Sequence, residues 1–128
     1  MKSQDRLLAA WEETLARKRD RPAIFATSGE VLRTFEDIEQ RSRALSAKID
    51  IFDAGSVFAV QIGNHEDWPP ILLACLRQRL VLLPLEQSIS DQQREAALEV
   101  CQAAAVVAAV PSGSVEVSRL RTAASTPI

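Results

Sequence analysis

Cysteine is scarce in this chain, with Cys75 and Cys101 the only two in 128 residues. Without close spacing they form neither a disulfide framework nor a metal knuckle, so reduced thiols in a cytoplasmic protein are expected. A long apolar run is also missing. The longest, such as Ala103 to Val110, fall far short of the roughly 20 residues a membrane-spanning helix needs. The N-terminal MKSQDRLLAAWEE turns charged after a short Leu-Leu-Ala-Ala run and lacks the core of an export signal. Nor is there an excess of one charge. Fifteen basic against seventeen acidic side chains leave a net charge of -2, which gives nucleic acid or an anionic membrane little to follow. What is present is the composition of a folded globular chain, 47% hydrophobic and 25% charged, long enough for one core.

Periodicity orders the chain into alternating helices and strands. Leu8, Trp11 and Leu15, with Leu7 alongside, predict an amphipathic helix over 4–18. The segment Pro22 to Ala26, the turn residues Ser28-Gly29-Glu30 and Val31-Leu32-Arg33 predict a β-hairpin. Thr34 and Asp37 form a capping box that opens a second helix, with Phe35, Ile38, Ser42, Leu45 and Ile49 on one stripe until about Asp50. Val57 to Ile62 is nearly continuously apolar and predicts a central strand. A third helix starts near Asp67, because Pro69 and Pro70 fit only its first turn. Leu80 to Leu85 predicts the next strand, with Pro84 near its end. Ser90 and Gln93 form a second capping box, opening a helix through about Ala103 that buries Ala97, Val100, Cys101 and Ala104. Strands over Val106 to Val110 and around Val115 and Val117 complete the series. The pattern predicts one α/β domain over 1–118, a mostly parallel sheet with helices on both faces and an antiparallel edge hairpin, followed by a frayed tail over 119–128.

From Pro22 to Val110, the order of these pieces resembles the opening of the adenylate-forming (AMP-dependent synthetase and ligase) superfamily, which includes AMP-forming acyl-CoA synthetases. Pro22-Ala23-Ile24 with Gly29 resembles the family's first hairpin. Thr34-Phe35-Glu36-Asp37-Ile38 resembles its Thr-Tyr-x-Glu-Leu helix start. Val57-Phe58-Ala59-Val60 followed by Asn64 resembles its strand and Asn-Ser-x-Glu turn, and Leu80 to Leu85 resembles the strand that ends Val-Pro-Leu/Ile. The sequence departs from the family at Ser56, where relatives carry Asp, and at Arg79, where they carry Gly. Arg79 implies a non-glycine residue in a left-handed helix cap, or a different cap. Membership implies a parent reaction in which ATP, Mg²⁺ and a carboxylic acid give an acyl-adenylate, usually captured by CoA as a thioester. The phosphate loop ending Pro-Lys-Gly, the ribose-binding Asp and the C-terminal catalytic Lys have no counterpart in this sequence. No catalytic, cofactor-binding or metal-binding residue is therefore assigned.

Other candidate residues have simpler readings. Thr27-Ser28-Gly29 superficially resembles a phosphate loop, but Glu30 would repel phosphate and a helix-capping Thr follows, so a turn is expected. His65 titrates near neutrality and stands beside Glu66 and Asp67, yet no Ser or Cys nucleophile motif accompanies it, so a solvated loop histidine is expected. Glu66 and Asp67 suit a helix entrance better than a metal site, which needs several converging oxygens. Arg17-Lys18-Arg19-Asp20-Arg21 closes a helix, where positive charge complements the dipole. Trp11 and Trp68 are expected to pack in a core. The expected function is the N-terminal part of an AMP-forming carboxylic acid-CoA ligase, inactive alone, whose partner is the remainder of that ligase. Exposed apolar surface would then favour a homodimer. The alternatives are a self-contained α/β interaction module and a small-ligand binder using the strand ends near Gly63 and Leu85.

Overall fold

The computed structural model describes residues 2–120, with side chains placed from Arg6 onward. Its elements run α1 (Lys2–Lys18), β1 (Pro22–Phe25), β2 (Val31–Thr34), α2 (Phe35–Lys48), β3 (Val57–Gln61), α3 (Trp68–Gln78), β4 (Val81–Pro84), α4 (Asp91–Val100), β5 (Ala103–Ala109) and β6 (Val115–Arg119). They divide into two compact units, each discontinuous in sequence. One comprises 1–51 and 66–78, the other 52–65 and 79–128.

In the first unit, β1 and β2 pair antiparallel as a two-stranded sheet of their own. Gly29 at φ 92° makes the hairpin turn, and its N–H donates to the Ala26 carbonyl at 2.8 Å. Thr34 ends β2 and caps α2, with both halves of the capping box in place: its Oγ1 accepts from Asp37 N at 3.0 Å and its own N–H donates to Asp37 Oδ2 at 2.8 Å. The apolar stripe of α2 packs as its spacing predicts, with Ile38 and Ile49 buried and Ser42 between them. Pro69 and Pro70 lie in the first turn of α3, where their missing N–H groups break no helical bond. Ile71, Leu73, Ala74 and Cys75 are buried, and Leu72 faces out.

The second unit is a four-stranded sheet of order β4-β3-β5-β6, parallel across β4, β3 and β5 and antiparallel at β6. β3 is central, and Phe58, Ala59 and Val60 are all essentially inaccessible. Ala59, Leu98, Ala103 and Val106 form a core cluster, with Val57, Leu83, Leu85 and Leu120 packed against it. The edge next to β5 is thus taken by β6, and the hairpin stands apart from this sheet.

The last helix departs from expectation. α4 ends at Val100, Cys101 is its C-cap, and Gln102 adopts φ 52°. That left-handed residue stops the helix early and lets β5 begin at Ala103 instead of Val106. Val100 is 81% exposed, Cys101 is exposed and Leu98 is the buried residue, so the predicted inward face of Val100 and Cys101 is corrected to Leu98. Of the segment 119–128 read as a tail, Arg119 ends β6 and Leu120 N–H donates to the Ala104 carbonyl at 2.9 Å, while 121–128 lie outside the described residues.

Candidate functional site

Arg79 and Gly55 shape the entrance to the parallel sheet. Arg79 takes φ 59°, the left-handed conformation that a residue with a Cβ enters only at a cost. Its carbonyl accepts from Gly55 N–H at 2.8 Å, and Ser56 O then accepts from Val81 N–H at 2.9 Å. The cap geometry is the one glycine would favour, made here by arginine.

At the opposite, carboxyl ends of the strands, a cavity of about 280 Å³ is lined by Gln61, Gln87, Ile89, Asp91, Arg94, Ala108 and Ala109. Gln61 Nε2 donates to the Glu86 carbonyl at 2.9 Å, and Arg94 Nη1 donates to Glu95 Oε2 at 2.9 Å. Gly63, at φ 61°, lies under the Gln87 amide; a Cβ at this position would fall 2.4 Å from Gln87 Oε1. The loop after β3 is therefore restricted to glycine on both steric and conformational grounds.

Two buried carboxylates organise the first unit. Glu39, 4% exposed, accepts from Trp11 Nε1 at 2.8 Å and from Arg77 Nη2 at 2.8 Å, and it also pairs with Arg43. Burial pushes its pKa up; the hydrogen bonds from Trp11, Arg77 and Arg43 outweigh that and hold it below the usual value. Asp67, also 4% exposed, accepts from Arg41 Nε at 3.0 Å, Arg41 Nη2 at 3.1 Å and Arg33 Nη2 at 3.2 Å. Burial again raises its pKa and the two guanidinium groups, Arg41 foremost, bring it down. Glu66 lies 3.7 Å from Arg33. The Asp67 carbonyl accepts the first helical bond of α3, from Ile71 N–H at 3.1 Å, so this residue does mark the helix entrance. Its carboxylate is committed to arginines that are distant in sequence, and metal binding would have to displace them. Among the described residues no group of three His, Cys, Asp or Glu side chains could hold a metal ion.

The remaining candidates fall into place. Thr27-Ser28-Gly29 is the hairpin turn, with Glu30 N–H near Ser28 Oγ at 3.4 Å. His65 is not the solvated loop side chain expected: it is partly buried, with Nε2 2.6 Å from the Gly113 carbonyl in the β5–β6 turn. Arg17 and Lys18 close α1, Arg17 lies 3.8 Å from Glu13 and Arg19 pairs with Glu36. Trp11 is half-buried against Phe35, ring centroids 6.0 Å apart. Leu7, Ala10, Trp11, Thr14, Pro69, Leu72 and Leu73 line an apolar groove of about 270 Å³ between α1 and α3. The Cys75 thiol is pushed up to about 12 by burial, which makes it inert. Among the described residues no helix is long and apolar enough to cross a membrane.

Comparison with known proteins is consistent with this geometry. The family model described as AMP-binding enzyme matches residues 11–127. The N-terminal subdomain of NpsA from Klebsiella oxytoca superposes with a TM-score of 0.65 at 20% identity, covering 77% of this chain and 26% of that one. VinN in complex with 3-methylaspartate gives a TM-score of 0.70 at 17% identity, covering 80% of this chain and 29% of that one. NpsA in complex with 3-hydroxyanthranilyl-AMSN gives 0.67 at 19%, covering 89% and 24%. The chain thus spans about a quarter of the length of the solved structures it matches. The search among curated proteins returns no match.

Proposed function

The chain belongs to the AMP-binding enzyme family, and from that premise we propose that it is the N-terminal part of an AMP-forming carboxylic acid-CoA ligase. The observation that carries this reading is the family match across residues 11–127. In the parent reaction, ATP and a carboxylic acid give an acyl-adenylate and pyrophosphate, and CoA then displaces AMP to form the thioester. Residues 1–118 serve in this reading as one part of a larger cytoplasmic catalytic domain. They supply a parallel sheet and its capped helices as scaffold, and the remainder of the ligase is the partner. ATP, Mg²⁺ and CoA belong to residues outside this sequence. The acidic pair available here, Glu66 and Asp67, sits against Arg33 and Arg41 and does not suit Mg²⁺, which prefers carboxylate and water oxygens without competing cations.

ATP–pyrophosphate exchange over a panel of carboxylic acids tests the proposal. The 128 residues alone are expected to give no exchange above background, and a longer chain carrying the phosphate-loop motif is expected to give it. Exchange by the 128 residues alone would overturn the assignment of a scaffold role. A second reading, an interaction module or homodimer, draws on the groove between α1 and α3, where Leu7 and Leu72 are 49% and 40% exposed. Sedimentation of the chain and of Leu72→Glu distinguishes it: a dimer dissociated by this change favours the second reading, and a monomer in both removes it.

A further inference from the structure

The connection order of the larger sheet determines where a crevice opens. From β3 the chain proceeds toward β4 on one side, and from β5 it proceeds to β6 on the other. The loops leaving β3 and β5 diverge, and the gap beyond the carboxyl ends of such strands is where open α/β sheets hold small ligands. The cavity containing Gln61, from the end of β3, and Ala108 and Ala109, from the end of β5, lies there.

Its lining states what could fill it. Arg94 is partly buried and gives Nη1 to Glu95, which leaves further guanidinium donors. Asp91, one turn earlier on α4, is exposed and makes no ion pair among the described residues. Gln61 donates its Nε2 to Glu86 O, so its Oε1 remains as an acceptor, and Gln87 adds a second amide. The two formal charges cancel. A phosphate drawn by Arg94 would meet Asp91, and a metal ion drawn by Asp91 would meet Arg94. A molecule carrying both charges satisfies both side chains, and residues three apart on a helix present them about 5–6 Å from one another. The volume of about 280 Å³ equals about nine waters at their liquid share, enough for a compact organic molecule.

We infer that this crevice binds a small zwitterion the size of a free amino acid, its carboxylate on Arg94, its ammonium group on Asp91 and its body against the amides of Gln61 and Gln87. The site needs no ATP and goes beyond the ligase reading, so absence of exchange activity leaves it untouched.

The test is a titration of the ¹⁵N-labelled 128-residue chain with glycine and L-glutamine, in parallel with acetate, methylammonium, inorganic phosphate and AMP. Saturable shifts at the backbone amides of Gln61, Gln87, Arg94 and Ala108 are expected with the amino acids and not with acetate or methylammonium. Asp91→Asn and Arg94→Gln are each expected to weaken binding by about fivefold or more, and Ser118→Ala on the exposed β6 to leave it unchanged. Gln87→Ala, in an exposed loop, provides the same readout should either charge variant lose its native spectrum. Absence of saturable shifts at tens of millimolar, insensitivity to these substitutions, or a preference for phosphate or AMP would overturn the inference.

Discussion

Arg79 holds a left-handed cap whose preferred occupant is glycine. Removing its Cβ relieves a conformational cost of roughly 1–2 kcal/mol, partly offset by the greater freedom glycine gives the unfolded chain. Arg79→Gly is expected to raise stability by about 0.5–1 kcal/mol in urea titration; a loss would mean that the arginine side chain contributes more than its backbone strain. The presence of arginine was legible in the sequence as a departure, and the structure shows which of the two expected outcomes was adopted. The partners of Asp67 were not legible. Its hydrogen bonds reach back to Arg33 and Arg41, far along the chain, and charge pairing at that separation leaves no periodic signal. Because the folded-state pKa of Asp67 lies below the unfolded value, its stabilisation is fully present above about pH 4 and is lost as pH falls through the folded value. Asp67→Asn is expected to cost about 1–3 kcal/mol near neutrality, discounted because Arg41 is half exposed. The difference from the parent should shrink below about pH 4 in acid titrations followed by circular dichroism; a difference constant with pH would remove the charge-based account.

Both capping boxes could be read from four residues each, since a hydroxyl and an acceptor three positions later satisfy two free N–H groups without tertiary help. The inward face of α4 could not. Ala97, Val100, Cys101 and Ala104 fit helical spacing, but the apolar run continues into β5 and obscures the point where helix ends and strand begins. Burial of Leu98 and exposure of Val100 give that face a direct test. Leu98→Ala is expected to cost about 2–4 kcal/mol and Val100→Thr less than about 0.5 kcal/mol, read as shifts in denaturation midpoint. The reverse ranking would restore the other face. Glu39 was hidden for a related reason. It lies on the buried side of α2 between apolar neighbours, and its Trp11 and Arg77 partners are contributed by helices on either side of it in sequence.

At the scale of the molecule, the interleaving of the two units governs what can be removed. Unit one needs α3, which follows β3 of unit two. A chain ending at His65 lacks Asp67 and Arg77, so Glu39 loses one of its hydrogen-bonded arginines and Arg41 its carboxylate. Residues 1–65 are expected to show no cooperative urea transition, whereas 1–78 should retain hydrogen-exchange protection in α2. Equal protection in both would show that α3 is dispensable.

The same interleaving sets a schedule for synthesis. As the chain leaves the ribosome, α2 emerges with Glu39 well before Arg77 exists to meet it, and β3 emerges before either of its parallel neighbours. Unit one is complete only with Gln78, and unit two only with β5 and β6. Until then β3 presents two unpaired edges and a nearly continuous apolar sequence, the kind of segment that draws chaperones or neighbouring nascent chains. The order in which the strands are made therefore leaves its most buried strand waiting longest for cover.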